Sequence, residues 1–132
     1  MFQVHQLVLV LYSFVLARRQ DDKLVEEIER ELVSRDVEQF EDSNLCQVAW
    51  SLGRARKSQS KMFHVIEESV FQRGLHQFPK SEKFLLLQGY VEAKRLTKRL
   101  YEELQVSFLK SSFSELKATE ICVLACLVFF SG

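Results

Sequence analysis

The apolar positions of this chain recur with a period of 38 residues. Val10, Val48 and Leu86, for example, fall in one register. The other apolar registers are Phe2 with Phe40 and Phe78; Leu7 with Leu45; Phe14 with Leu52, Tyr90 and Val128; Leu24 with Met62 and Leu100; Ile28 with Ile66 and Leu104; and Leu32 with Val70 and Phe108. A fixed period of this size is the signature of a repeat protein in which neighbouring units cover each other's apolar faces. We therefore predict repeat units at about 5–42, 43–80 and 81–118, with a partial fourth unit at 119–132.

Each unit is predicted to contain two antiparallel helices, and the second unit shows the pattern most clearly. Its first helix has apolar residues at the spacing i, i+3, i+4 and i+7, namely Leu45, Val48, Ala49 and Leu52. We predict that Ser43 is the N-cap of this helix and that the helix extends to about Lys57. The second helix is predicted from about Lys61 to Arg73, and Gly74 suits the left-handed conformation that often ends a helix.

The connections between units have paired apolar residues, Val37 with Phe40 and Leu75 with Phe78. A solvated loop would not need them, so we predict that they close the core between successive hairpins. In the third unit Lys83 occupies the register of Leu45, and we predict that Phe84 takes over the core position through a small rotation. The predicted fold class is all-α, an α-solenoid of stacked antiparallel helical hairpins. It has about three repeats and a lone final helix, all in one domain over residues 1–132.

The partial fourth unit contains ten consecutive apolar residues, from Ile121 to Phe130. No second helix of that unit is available to cover them, and large exposed apolar patches mark interaction sites. We expect a partner protein, or a continuation of the chain, to cap this helix. The residues predicted to bind that partner are Ile121, Leu124, Leu127, Val128, Phe129 and Phe130.

Lysine and arginine follow the same period, although the chain has 18 basic and 18 acidic residues and a net charge of zero. Overall charge therefore gives no support to nucleic-acid binding, and the distribution of charge has to carry that hypothesis. Nine residues form what we call the basic edge: Arg18, Arg19, Lys23, Arg56, Lys57, Lys61, Lys94, Arg95 and Arg99. Stacked hairpins place equivalent positions roughly 10 Å apart. The basic edge is thus predicted to follow a phosphate backbone.

A structural explanation of the basic edge competes with this one. Cations at the end of a helix complement its dipole, and this alone would favour six of the nine residues. Lys23, Lys61 and Arg99 lie at the start of the second helices, where a cation gains nothing from the dipole. Their periodic presence favours nucleic acid or another polyanion as a ligand.

No pattern for catalysis, a metal or a cofactor is present in the sequence. Glycine-rich phosphate loops and nucleophile elbows are absent, and the three histidines fall at different registers. Cys122 and Cys126 lie one turn apart but in an apolar run, so we interpret them as small core residues. Tyr12 and Trp50 are likewise interpreted as core. The apolar segment 7–17 is too short to span a bilayer, and no membrane association is predicted.

The segment from Leu45 to Arg56, LCQVAWSLGRAR, resembles the first-helix consensus of octatricopeptide repeats. These are 38-residue helical hairpins that also precede the RAP domain of organellar proteins, including the FAST-kinase-domain proteins. The first unit is similar, with Tyr12 at the place of Trp50, and the third unit has Gln88 there. The resemblance covers nearly the whole chain.

The resemblance implies RNA binding in the mitochondrial matrix or, as an alternative, in plastids, with the first helix of each unit facing the RNA. Polar positions on these helices then become candidate base contacts: Gln6, Ser13, Asn44, Gln47, Ser51 and Glu82. Three units would contact few bases, and no RAP domain is present. The hypothesis is therefore a non-catalytic component of an organellar ribonucleoprotein, such as the mitochondrial ribosome, bound to ribosomal RNA or an organellar transcript. The alternative is a protein–protein scaffold without direct RNA contact.

Overall fold

The computed structural model describes residues 3–18 and 22–109, and in these ranges it contains six α-helices and no strand. The helices are α1 (Val4–Leu16), α2 (Asp22–Ser34), α3 (Asp42–Arg54), α4 (Met62–Arg73), α5 (Lys80–Glu92) and α6 (Lys98–Leu109). The predicted all-α class is confirmed. Arg19 and the predicted partner-binding residues, namely Ile121, Leu124, Leu127, Val128, Phe129 and Phe130, lie outside the described residues.

The 38-residue period of the sequence is also present in the backbone. Helices α1, α3 and α5 begin at Val4, Asp42 and Lys80, so that each starts 38 residues after the one before. Single 3₁₀ turns at Val37–Gln39 and Leu75–Gln77 show the same offset. Equivalent residues of the three first helices therefore occupy equivalent positions along those helices.

The first helices begin earlier than the sequence pattern predicts, and the assignment of Ser43 as an N-cap is wrong. The N-caps are Gln3, Glu41 and Pro79. The Oδ1 of Asn44 accepts a hydrogen bond from the backbone N–H of Glu41 at 3.0 Å. This contact belongs to a capping box, which satisfies amides that a helix start otherwise leaves without partners, and it places the helix start before Ser43.

The first helices pack side by side, with α3 between α1 and α5, and the contact between α3 and α5 is the more extensive of the two. Each second helix also contacts the first helix of its own hairpin. The core lies between these elements and includes side chains with no exposed surface, such as Leu11, Leu45 and Leu86. Burial of such side chains is the main favourable contribution to folding.

The connections between hairpins contribute to the core as predicted. Phe40, Leu75 and Phe78 are buried, and Val37 packs partly against the same core. In the third unit, Phe84 packs against the core and is half-buried, but it does not displace Lys83. Because α5 keeps the phase of α3, Lys83 remains in the core register with 8% of its surface exposed. Burial lowers the pKa of its ammonium group.

Two glycines bring the backbones of α3 and α5 into contact. A Cβ added at Gly89 would lie 2.7 Å from the backbone nitrogen of Trp50 and would overlap the carbonyl group of Ala49. A Cβ added at Gly53 would lie 2.9 Å from the Cα of Gly89. Only residues without a side chain fit this crossing, because backbone atoms on both sides have no room to move.

Candidate nucleic-acid interface

The first helices end in the same unusual conformation. Among the described residues, the only non-glycine residues with positive φ are Arg18 (57°), Arg56 (61°) and Lys94 (57°), which are spaced by 38 residues. We call these three residues the left-handed cations. The nitrogen of Arg56 donates to the Gly53 carbonyl at 3.2 Å, and the nitrogen of the following residue donates to the Leu52 carbonyl at 2.9 Å. This pair of bonds is a Schellman motif, in which glycine is the usual left-handed residue.

The left-handed backbone conformation of these three cations costs free energy. An L-residue other than glycine loses roughly 1–2 kcal/mol in this conformation, and glycine would avoid that loss at each position. All three side chains are nevertheless basic, and all three are exposed. Residues held in sparsely populated backbone conformations concentrate at functional sites. The left-handed cations thus place three exposed basic side chains at equivalent points, one directly after each first helix.

The residues that follow the left-handed cations connect successive hairpins. The Nζ of Lys57 lies 3.3 Å from the Oε1 of Glu26 on α2. The Nη1 of Arg95 donates to the carbonyl oxygens of Ser58 at 2.6 Å and Ser60 at 3.4 Å. These two members of the basic edge therefore have partners within the fold that the sequence pattern does not reveal.

The basic-edge residues at the start of the second helices also differ in whether they have partners within the fold. The guanidinium of Arg99 lies 3.7 Å from the centre of the Phe71 ring, and it pairs with Glu68 at 3.3 Å. Lys23 and Lys61 are exposed at the start of the second helices. Contact with a ligand is consequently most direct at the three left-handed cations and Lys61, whereas Arg95 could bind a ligand through the guanidinium nitrogens other than Nη1.

Two grooves lie along the basic edge, between the turns of successive hairpins. The first groove has a volume of about 580 Å³ and is lined by Glu26, Glu29, Arg30, Val33, Arg56, Lys57, Ser58, Gln59, Ser60 and Lys61. The second groove has a volume of about 820 Å³ and is lined by Ser58, Gln59, Ser60, Lys61, His64, Val65, Ala93, Lys94 and Arg95. Carboxylates line the first groove, whereas the lining residues of the second include none. The second groove is therefore the more electropositive.

The candidate base contacts are not brought together on one surface. Asn44 and Ser51 are buried, with at most 1% of their surface exposed, because α3 is covered on two sides by α1 and α5. The Oε1 of Gln6 accepts from the backbone of Gln3 at 2.9 Å and so caps its own helix. Ser13 is exposed and Gln47 is partly exposed. We retain only the last two as candidates for contact with a base.

Glu82 occupies the register of Gln6 and Asn44 but lacks their capping partner. The N-cap of its helix is Pro79, which has no N–H to donate. The Oε2 of Glu82 is buried and has no hydrogen-bond partner among the described residues. Burial, assisted by the nearby Asp42 carboxylate, raises the pKa of Glu82.

The aromatic residues of the first helices form part of the packing. The Tyr12 and Trp50 rings are 5.1 Å apart with an interplanar angle of 49°, and the Arg54 guanidinium lies 5.4 Å from the Trp50 ring centre. Trp50 is buried, as predicted, and Tyr12 is half-buried. Arg54 also pairs with Glu92 on α5 at 2.9 Å, so this cluster joins three consecutive first helices.

Metal binding, thiol chemistry and membrane insertion were the other properties considered in the sequence, and the structure bears on each within the residues that it describes. Residues 3–18 and 22–109 hold no group of three metal-binding side chains. Cys46 is a buried free thiol, and burial raises its pKa. No helix within the same ranges is long and apolar enough to cross a membrane.

Comparison of the chain with protein-family models, with curated proteins and with solved structures gives no match.

Proposed function

We propose that this chain is a non-catalytic α-solenoid of helical hairpins that binds the phosphate backbone of single-stranded RNA along its basic edge. The observation that carries the proposal is the recurrence of the left-handed cations, Arg18, Arg56 and Lys94, which have matching φ values and exposed side chains. The contacts of α3 with α1 and α5 support the stacked arrangement.

The backbone cost argues against a purely structural role for these cations. A helix end gains little from a cation, typically 0.3–1 kcal/mol at an exposed site. The left-handed conformation costs a non-glycine residue a comparable amount or more. Glycine would therefore serve helix termination at least as well as arginine or lysine does. A basic side chain can bind a phosphate group, whereas glycine cannot. Repeated phosphate contacts dominate the affinity of proteins for nucleic acids.

Within this proposal, the protein works in an organellar ribonucleoprotein, with the mitochondrial matrix preferred to the plastid. The resemblance of the segment from Leu45 to Arg56 to octatricopeptide repeats supports this placement. Two of the candidate base contacts on the first helices, Asn44 and Ser51, are buried. This favours contact with the RNA backbone over recognition of a base sequence.

The test replaces all three left-handed cations with glycine in R18G/R56G/K94G. Glycine favours the observed φ values, so we expect the free energy of unfolding to rise by about 0.5–1 kcal/mol per site. Affinity for a fluorescently labelled oligouridylate should fall at least tenfold in a fluorescence-anisotropy titration. Because stability rises, loss of binding would not be attributable to unfolding.

The matched control lowers the net charge by the same three units at the opposite end of the first helices. Gln39, Gln77 and Ser81 are exposed there, and the control variant is Q39E/Q77E/S81E. It should retain most of the affinity. Equal loss of binding in both variants would show that only overall charge matters, and wild-type affinity in the glycine variant would reject the proposal.

A protein-binding scaffold is the second candidate function, and the surface of α1 favours it. Val10 and Phe14 are 38% and 37% exposed, although the equivalent residues Val48 and Leu52 of α3 are fully buried. Another helix of the same kind would fit against this face. The double variant V10S/F14S should abolish capture of a protein partner while leaving RNA affinity unchanged.

A further inference from the structure

We propose that the second groove is the main phosphate site of the chain, holding one phosphodiester group more tightly than any position along the first groove. This inference rests on the proposed function and specifies where on the basic edge the anion binds. The ligand class is a tetrahedral phosphate oxyanion, as part of an RNA backbone or as a free ion. Lys61, Lys94 and Arg95 are the residues that would bind it.

A comparison of equivalent positions shows why the two grooves differ. At the first groove, the Lys57 ammonium pairs with two carboxylates, with 3.3 Å from Nζ to Glu26 Oε1 and 4.0 Å from Nζ to Asp22 Oδ1. The equivalents of Glu26 and Asp22 one unit later are His64 and Ser60, and the equivalent of Lys57 is Arg95. Neither carboxylate therefore recurs at the second groove, and the cation at that position keeps its charge available.

Arg95 is held in place before any ligand arrives. Its Nη1 donates to the carbonyl oxygens of Ser58 and Ser60, and its guanidinium lies 5.5 Å from the centre of the Phe63 ring. Both hydrogen bonds use the same nitrogen, so Nε and Nη2 remain for an anion. Arginine in such a fixed orientation binds phosphate with little further loss of side-chain entropy.

Besides Arg95, lysines from two different hairpins line the second groove. Lys61 lies at the N-cap of α4, and Lys94 is the left-handed cation that follows α5. Serine hydroxyl groups and the exposed His64 complete the polar lining. A phosphate in this groove would therefore contact both hairpins at once, so the anion would also stabilise their relative arrangement.

The test restores the missing carboxylate with H64E and uses H64Q as a neutral control. His64 is exposed, so neither substitution removes core packing. We expect H64E to weaken binding of a labelled oligouridylate at least fivefold, while H64Q stays within twofold of the wild type. The reciprocal change E26H should strengthen binding, because it removes the nearer of the two carboxylates that pair with Lys57 in the first groove.

A second measurement separates this inference from the proposed function. Inorganic pyrophosphate is titrated into the isotope-labelled protein, and backbone NMR shifts are followed around Ser60, His64 and Lys94. Shifts there that H64E abolishes support the groove, and such shifts without oligouridylate affinity would sink RNA binding alone. RNA binding that H64E leaves unchanged would overturn the groove assignment alone. Absence of both shifts and RNA binding would overturn both.

Discussion

The contacts of α3 with its two neighbours differ, although all three helices come from the same repeat. Towards α5, Gly53 and Gly89 bring the helix backbones into direct contact. The residues at the same registers one unit earlier are Val15 and Ser51. Their side chains prevent such a close approach between α1 and α3, and the contact there is less extensive. The comparison shows that the residues at two registers set the spacing of helices whose apolar positions are otherwise similar.

The largest expected effect is at the close contact between α3 and α5. The variant G89A places a Cβ against the Ala49 carbonyl and Trp50 nitrogen, which belong to rigid helix backbone. Overpacking of this kind typically costs 1–3 kcal/mol, and we expect a loss of about 3 kcal/mol in the free energy of unfolding. Urea denaturation followed by circular dichroism measures it.

The equivalent substitution at the looser contact serves as the control. Ser51 is fully buried and its hydroxyl has no hydrogen-bond partner among the described residues. Removing a buried polar group without a partner avoids its desolvation cost. S51A should therefore be neutral or slightly stabilising. A G89A variant as stable as S51A would contradict the proposed difference between the two contacts.

The next effect concerns the lysine in the core register of α5. Lys83 lies where α3 has Leu45, and burial lowers its pKa below the usual value. The unfolded chain then binds the proton more readily, so wild-type stability should rise with pH between the lowered pKa and the usual lysine range. K83L should gain about 1–2 kcal/mol at neutral pH, by analogy with other buried apolar side chains, and should lose this slope. A destabilised K83L would show that the ammonium has a required partner.

The smallest effect is expected at Glu82. Its pKa is raised because the carboxylate is partly buried and Asp42 is nearby. The folded state therefore favours the protonated acid, and the associated stability is present at acid pH and lost as pH rises through the raised pKa. E82Q should remove this dependence and gain up to about 1 kcal/mol at neutral pH.

Stability at neutral pH can also be raised by changing Pro79, the N-cap residue of the helix that contains Glu82. P79A supplies a backbone N–H at the N-cap, which the Glu82 carboxylate can accept as Asn44 accepts that of Glu41. Stability at neutral pH should then rise without loss of the acid. Thermal unfolding at several pH values distinguishes both variants from the wild type. A pH profile of E82Q that matches the wild type would show that another group titrates.

The sequence predicts the helices well because their apolar registers repeat without insertion or deletion. It fails at the start of α3, where a capping box centred on Asn44 outweighs the favourable hydroxyl of Ser43. It also fails at Lys83, since a periodic pattern cannot show that a helix keeps its phase around one charged residue. At the start of α3, a contact between residues three positions apart decides where the helix begins.

The candidate interface is predictable only in outline. The period of the basic residues identifies the edge, but the left-handed conformation at Arg56 could not be predicted, because glycine is the usual residue at such a helix end. The partners of Lys57 and Arg95 depend on which residues of the preceding hairpin face them. That information lies in the packing of hairpins and not in any one segment of sequence.

Salt dependence of binding to single-stranded RNA tests the central claim most directly. If the left-handed cations each contact a phosphate, the logarithm of the association constant for an oligouridylate should fall against the logarithm of salt concentration with a slope of about −2. The glycine variant should lose most of that slope. A wild-type protein that binds with no salt dependence, or does not bind at low salt, would contradict the account.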